Sequence, residues 1–201
     1  YLDAIEAALA EGKDAPVLVP EISLTAQTVG RFRSRFGDDV AILHSRLSVG
    51  ERFDQWDLVR QGQAHVVVGA RSALFAPLSD VGLIIIDEEH EGSYKSETMP
   101  KYHARETAEE LARLHGASVF LGSATPSLES YYRAKQGKYR LFTLTERLTG
   151  GTLPEVYVEE YASKSVSADI MITHSSASVR TILSLYVSSL PPVGMTFTHA
   201  L

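Results

Sequence analysis

Short, continuously apolar runs alternate with amphipathic segments from residue 1 to about residue 144. Apolar residues recur at helical spacing in the amphipathic segments, which predicts helices. A strand with one wet face would alternate in polarity, so the uninterrupted apolar runs indicate strands of a sheet covered on both faces. The pattern therefore predicts an α/β fold with a mainly parallel, doubly wound sheet. The predicted strands are 16–20, 40–44, 65–70, 83–87, 118–122 and 139–144; the predicted helices are 1–11, 23–37 with Ser23 as its cap, 48–62, 102–116 and 127–137.

Polar or small residues follow four of these strands directly. In a doubly wound sheet, ligands bind outside the carboxyl ends of the strands. The sequence therefore predicts a functional site built from the segments 20–21, 69–72, 87–90 and 122–125.

The segment after the fourth strand is the strongest candidate for a catalytic role, because the apolar run LIII is followed directly by the ionisable residues DEEH. An Asp at the end of a buried strand can hold a hydrated Mg²⁺ on a nucleotide, since that ion prefers oxygen ligands and keeps several waters. The next acid, Glu88, can orient or deprotonate an attacking water. For an apolar run followed by an acid, a solvated acidic loop is the more common explanation, and His90 alone would be an ordinary loop residue. On these residues by themselves both interpretations stay open.

The four letters DEEH fit the Asp-Glu-x-His box of superfamily 2 helicases and translocases, and Ser-Ala-Thr at 123–125 fits the motif that partners it. Together with PEISLT at 20–25, RSALFAP at 71–77, DEEHEGSYK at 87–95 and YHAR at 102–105, these motifs resemble the PriA family of replication-restart DNA helicases. The resemblance runs from about residue 1 to residue 158. It implies the first RecA-like P-loop NTPase lobe of a 3′-to-5′ ATP-dependent helicase that acts in replication restart and primosome assembly.

The resemblance also implies roles for individual residues and partners. ATP and Mg²⁺ are the implied cofactors, and forked or single-stranded DNA, primosome proteins and single-stranded-DNA-binding proteins are the implied partners. The implied residues are Asp87 and Glu88 for Mg²⁺ and water activation, His90, Ser123 and Thr125 for coupling, and Pro20, Thr25, Arg71 and Ser72 for the DNA path.

The tract 91–105 suggests nucleic-acid binding on physical grounds. Tyr94 and Tyr102 offer rings on which bases can stack, and the basic side chains Lys95, Lys101 and Arg105 offer charge for phosphates. An exposed loop whose tyrosines cover the next helix explains the residues equally well. In the PriA family this position is an aromatic-rich loop that signals DNA occupancy to the ATPase site. The arginines at 31, 33 and 35 spread around a helix, which indicates a solvated face.

A glycine-rich phosphate loop, G-x-x-x-x-G-K-[ST], does not occur in these 201 residues. By the resemblance, that loop and the strand that delivers it lie immediately before a helix like Tyr1 to Gly12, and the second lobe and zinc-binding cysteines of the family are missing too. The isolated chain is therefore expected not to unwind DNA and to hydrolyse ATP very weakly. One alternative is a module that binds single-stranded DNA without turnover. A second, a phosphotransferase using Asp87 with Mg²⁺, leaves PEISLT and RSALFAP unexplained.

Composition and charge limit the possible partners and cellular location of the chain. The net charge of −6 argues against a uniformly basic surface, so phosphate contacts must come from local clusters. No apolar run approaches the ~20 residues of a membrane span, and no secretory signal is apparent, so we expect no membrane partner and a cytoplasmic location. Residues 1–160 are predicted to form a partial RecA-like lobe. Residues 161–201, rich in Ser and Thr with few charges, are predicted to form a weakly specified tail.

Overall fold

A seven-stranded sheet forms the centre of the computed structural model, which describes residues 1–144 and the backbone of 183–188. The strand order is β2-β3-β1-β4-β5-β7-β6. The strands are β1 Ala15–Leu18, β2 Val40–Leu43, β3 Val66–Gly69, β4 Leu83–Ile86, β5 Ser118–Ser123, β6 Tyr139–Leu144 and β7 Leu183–Ser188.

The five strands β1 to β5 run parallel, and their register aligns their carboxyl ends. β1 pairs with β3 and with β4, and β4 pairs with β5 from Leu83 opposite Ser118 to Ile86 opposite Leu121. The residues that follow β4 therefore lie beside the end of β5. The α/β class with a mainly parallel RecA-like sheet, predicted from the sequence, is confirmed.

Helices cover both faces of the sheet, which explains why the strands are apolar throughout. Alternate residues of a strand point to opposite faces. Ile84 and Ile86 belong to one buried cluster with the alanines of α4, whereas Leu83 and Ile85 belong to a second cluster with Ile5 of α1. The helices are α1 Leu2–Ala10, α2 Ala26–Phe36, α3 Val49–Arg60, α4 Ala104–His115 and α5 Leu128–Lys135.

The start of α2 differs from the prediction. Residues Glu21–Ser23 form a 3₁₀ turn, and the Ser23 amide donates to the Pro20 carbonyl at 2.8 Å, so Ser23 is not the cap. Thr25 caps the helix instead, because its side chain accepts from the Thr28 amide at 3.2 Å. Leu24, between the two, is buried and connects the turn to the core.

Six residues of the predicted tail form strand β7, antiparallel to β5 and β6 and between them. These six residues of the tail thus add a strand to the sheet, whereas the division of the chain at residue 160 stays a prediction. The rest of the predicted tail and residues 145–160 of the predicted lobe lie outside the described residues.

Among the described helices, none combines the length and the apolar character needed to cross a membrane.

Candidate nucleotide and nucleic-acid site

Asp87 stands at the carboxyl edge of the sheet, directly after β4. Its amide donates to the Leu18 carbonyl at 2.9 Å, which extends the pairing with β1 by one residue. Its carboxylate accepts a hydrogen bond from the Tyr1 hydroxyl at 2.8 Å. The side chain is half-buried, so the sheet fixes its base while its oxygens face the edge where ligands bind in such folds.

Glu88 has a backbone conformation that few side chains adopt. Its φ of 48° lies in the left-handed region, which costs a residue with a Cβ roughly 1–2 kcal/mol. The flanking hydrogen bonds explain it: Asp87 is bonded to β1, whereas the Glu89 amide donates to the Gly122 carbonyl of β5 at 3.0 Å. The chain must turn sharply between those two strands. Such strain concentrates at functional sites, where the surrounding structure maintains it.

His90 joins the segment after β4 to the segment after β5. Its Nδ1 lies 2.7 Å from the Ser123 hydroxyl, and its Nε2 lies 3.3 Å from the Thr125 hydroxyl. The Glu88 carboxylate is 3.6 Å from the same Nδ1. Ser123 also accepts from the Thr125 amide at 3.0 Å, so the four side chains form one continuous polar group. The structure thus brings together the residues that the sequence motifs pair.

The third acid of the row, Glu89, turns inward and is fully buried, unlike its half-buried neighbours Asp87 and Glu88. The sequence motifs predict no role for it. The sequence contains no signal for this difference, because the direction of each acid depends on the sharp turn at Glu88.

The carboxylates at this edge are suited to bind a metal ion that is also coordinated by the phosphates of a nucleotide. Mg²⁺ is usually held by one or two carboxylates together with substrate phosphates and water. Asp87 offers such a carboxylate at the predicted position. Within the described residues, no group of three or more His, Cys, Asp or Glu side chains is arranged to hold a metal by itself.

The predicted role of Tyr94 in base stacking is wrong for this structure, because the ring is buried with only 1% of its surface exposed. Its hydroxyl donates to the Asp87 main-chain carbonyl at 2.6 Å. Burial, together with the negative charge of Asp87, raises the pKa of Tyr94, so the hydroxyl stays a neutral donor. Tyr94 therefore stabilises the main chain of the acidic segment at Asp87.

Arg105 is also not available to DNA phosphates in this structure. Its side chain is 6% exposed and its guanidinium contacts Glu89 at 3.4 Å. Pro20 is buried at the end of the segment after β1, so its ring is likewise inaccessible. These two predicted DNA contacts are corrected for the same reason: both side chains pack inside the fold.

Arg71 fixes the loop that follows the acidic segment. Its Nη1 donates to the carbonyls of Ser93 and Lys95, at 3.0 and 2.7 Å. The loop closes on itself, since the Ser96 amide donates to the Tyr102 carbonyl at 2.8 Å. Arg71 therefore positions the loop that carries the predicted DNA contacts.

The exposed side chains of this region are candidates for nucleic-acid contact. Lys95 and Lys101 are exposed, and Lys95 approaches Glu97 at 3.5 Å, an ion pair open to solvent. The half-buried Tyr102 ring meets Phe75 edge to face, with centroids 5.2 Å apart. Phe75 is 49% exposed, and sequence analysis did not single it out although it lies in RSALFAP. The predicted residues Thr25 and Ser72 are exposed as well.

A cleft of about 500 Å³ lies beside Thr25, between α2 and α3. Arg33, His44 and Arg46 line it, but so do Glu51 and Asp54. Its charge is therefore mixed, which does not favour a simple phosphate site.

The class of protein follows from this arrangement and from comparison with known families. A family model described as DEAD/DEAH box helicase matches residues 1–134. The chain belongs to the DEAD/DEAH box helicase family.

Its particular relatives carry the name replication restart protein PriA, in agreement with the resemblance noted in the sequence. The protein of Bacillus subtilis (strain 168) is 56% identical over 156 residues, which is 78% of this chain and 19% of the relative. The protein of Haemophilus influenzae is 45% identical over 166 residues, 83% of this chain and 23% of the relative. The chain thus spans about a fifth of the length of these relatives.

A solved structure, that of the C-terminal domain of the DEAD-box protein Dbp5, is 22% identical and has a TM-score of 0.30. The match covers 42% of this chain and 48% of that chain.

Proposed function

We propose that this chain forms part of the first motor lobe of an ATP-dependent, 3′-to-5′ DNA helicase that acts in replication restart. The single observation that carries the proposal is the contact of His90 with both Ser123 and Thr125, directly beside Asp87 and Glu88. The family match and the PriA relatives support it independently.

Asp87 is the residue that would hold Mg²⁺, through its half-buried carboxylate at the strand end. When bound with ATP, the ion would neutralise phosphate charge. The Tyr1 hydroxyl donates to only one of the two carboxylate oxygens, Oδ1, so the ion would be held by the other oxygen or would share Oδ1 with Tyr1.

Glu88 orients and deprotonates the attacking water in this proposal. General-base catalysis of this kind contributes roughly 10²–10⁴-fold to a rate. Its strained backbone, held between β1 and β5, fixes the direction in which the side chain leaves the main chain, and His90 Nδ1 lies 3.6 Å from its carboxylate. Such preorganisation favours the reaction because no reorientation is needed in the transition state.

His90 couples hydrolysis to the rest of the lobe, since its ring contacts the end of β5 through two hydroxyls. A movement of the segment after β5 would therefore change the surroundings of Glu88, two residues before His90. Coupling between DNA and ATP has a physical route here, from Ser123 and Thr125 to the water-activating acid.

DNA contact is proposed for the exposed side chains beside this site. Lys95 and Lys101 supply charge, and the Tyr102–Phe75 pair supplies ring surface for stacking. Arg71 and Ser72, which follow β3, and Thr25, which caps α2, are further proposed contacts. Forked or single-stranded DNA, primosome proteins and single-stranded-DNA-binding proteins are the proposed partners, in the cytoplasm.

A module that binds single-stranded DNA without turnover is the second candidate for the isolated chain. It is favoured by the exposed lysines and rings together with the lack of a G-x-x-x-x-G-K-[ST] sequence. We expect the 201 residues alone to bind DNA weakly, to unwind none and to hydrolyse ATP very slowly. DNA-stimulated ATP turnover by the purified chain would contradict this expectation.

The helicase proposal is tested in a hybrid protein, in which the matching 156-residue segment of Bacillus subtilis PriA is exchanged for the segment of this chain. We expect DNA-dependent ATP hydrolysis and unwinding, and a loss of about 10²-fold or more on Glu88→Gln. Glu110→Gln, at an exposed acid on α4, is the control and keeps the activity. A folded hybrid that hydrolyses ATP equally well with Glu88→Gln would overturn the proposal.

A further inference from the structure

A buried ionic cluster around Glu89 joins three elements of the lobe. The Glu89 carboxylate accepts from the Ser127 amide at 2.7 Å, from the Ser127 hydroxyl at 3.0 Å and from the Ser130 hydroxyl at 2.8 Å. Arg105 approaches it at 3.4 Å. Ser127 is the N-cap of α5 and Arg105 lies in the first turn of α4, so one carboxylate connects β4, α4 and α5.

Burying these two charges costs desolvation free energy, so we infer that the cluster does more than fill the core. The Glu89 side chain is 0% exposed and the Arg105 side chain 6%. Arg105 also donates to Ser127 and Ser130, at 3.1 and 2.9 Å, yet its buried Nε has no hydrogen-bond partner among the described residues. Apolar residues often stabilise a core as well as a buried ion pair does, whereas an ion pair demands one geometry.

That geometry determines where His90 stands. Glu89 lies between Glu88 and His90, and its amide is bonded to Gly122 at the end of β5. Ser127 comes two residues after Thr125, so the segment 123–127 is attached to the acidic segment at two points. His90 holds one point and the Glu89 carboxylate holds the other.

We propose that Glu89 is a positioning residue that, together with Arg105, sets the contact of His90 with Ser123 and Thr125. Arg105 follows the loop 91–103, so the same cluster fixes the point at which the proposed DNA-contacting loop ends. The consequence for turnover rests on the proposed function, but the positioning itself does not.

The test uses the 201-residue chain and needs neither ATP nor DNA. In Glu89→Gln, which keeps the shape of the side chain, amide hydrogen exchange at Ser127 should accelerate by at least about tenfold, because a hydrogen bond to a charged oxygen is replaced by a weaker one to a neutral amide oxygen. The ring resonances of His90, observed by NMR, should move towards those of a Ser123→Ala reference. Unchanged His90 resonances in a folded Glu89→Gln chain would overturn the proposal.

A matched control separates positioning from general stabilisation. Glu109 lies one turn beyond Arg105 on the same helix and binds Arg133 at 2.9 and 3.1 Å. Glu109→Gln should lower the unfolding temperature and leave the His90 resonances in place. If Glu109→Gln moves those resonances as far as Glu89→Gln does, the effect is a general one and the proposal fails.

If Glu89→Gln does not fold, a milder variant still tests the positioning role of Glu89. Ser130→Ala removes one donor to the carboxylate and should produce the same changes at Ser127 and His90 with smaller amplitude. A folded Ser130→Ala chain with wild-type values at both residues would count against the proposal. An inactive hybrid helicase with intact NMR effects would refute the proposed function and leave the positioning role standing.

Discussion

The edge of β4 and β5 and the loop 91–103 are neighbouring polar regions with opposite organisation. At the edge, His90 bonds to side chains on another strand, and Glu89 is enclosed by donors from two helices. In the loop, the bonds are mostly internal, such as the Ser96 amide to the Tyr102 carbonyl, and the lysines remain exposed. The groups proposed to act on ATP are therefore preorganised, whereas the lysines proposed to contact DNA remain exposed to solvent.

The largest effect expected from this contrast concerns Arg105. Replacing it by Met leaves Glu89 as a buried charge without its cation, which costs about 3–5 kcal/mol in the free energy of unfolding. Arg113→Met removes an exposed partner of Glu110 on the same helix and should change stability little. Urea unfolding of the two variants measures both.

Equal losses for Arg105→Met and Arg113→Met would show that the cluster is no more demanding than a surface pair. A Glu89→Gln/Arg105→Met double variant should recover part of the loss, because the uncompensated charge is then gone.

A smaller effect is expected when the rings of the loop region are changed. Tyr102→Ala should weaken binding of single-stranded DNA by about 1–3 kcal/mol if a base stacks there. Tyr94→Phe should leave DNA affinity unchanged and lower stability by about 1 kcal/mol, because it removes the hydrogen bond to Asp87. Fluorescence titration with a labelled oligonucleotide measures the DNA affinity of both variants. Equal losses of affinity would refute the conclusion that Tyr102 contacts DNA and Tyr94 does not.

Strain at Glu88 predicts a stabilising substitution. Gly adopts a φ of 48° without the Cβ penalty, so Glu88→Gly should raise the free energy of unfolding by about 0.5–1 kcal/mol after the entropy of glycine is counted. Glu91→Gly, at an ordinary φ of −65°, should instead destabilise the chain. Thermal unfolding measures both, and a loss of stability on Glu88→Gly would indicate that contacts of the Glu88 carboxylate outweigh the strain.

The smallest effect is a pH dependence from His103, whose ring accepts from the Arg105 amide at the start of α4. Burial, and next the charge of Arg105, lower the pKa of His103 below its ordinary value of 6.5. The unfolded chain then binds the proton more readily, so this stability is present above about pH 6.5 and is lost as pH falls through the folded pKa.

His103→Asn replaces the capping ring nitrogen by an amide oxygen that can accept the same hydrogen bond, and it removes the titration. Its unfolding midpoint in urea should therefore fall less than that of the wild type between about pH 7 and about pH 5. His115→Asn, at an exposed position of α4, is the control. Identical profiles for wild type and His103→Asn would contradict the prediction.

Sequence patterns predicted the fold and which residues meet at the ends of β4 and β5, but they did not predict which side chains of the loop 91–103 are exposed. The strand positions agree within a few residues, and β6 was predicted with the bounds observed, Tyr139–Leu144. The parallel register then brings Asp87 to Ser123 without further information. Tyr94 and Arg105 were misassigned because nothing in the spacing of a loop tells which side chains face the core.

By itself, the sequence determined which residues between 1 and 144 become strands, because hydrophobic periodicity is local and repetitive, and that the polar residues after these strands share one edge, because parallel strands end on the same side of a sheet. Only the tertiary structure decided which acid of the row faces solvent, which tyrosine stays exposed and where Arg105 points. Those outcomes depend on a sharp turn at Glu88 and on donors supplied by Ser127 and Ser130, about forty residues away along the chain. The burial of Glu89 depends on the assembled fold, because the desolvation of its charge is offset only when all of its hydrogen-bond donors are in place.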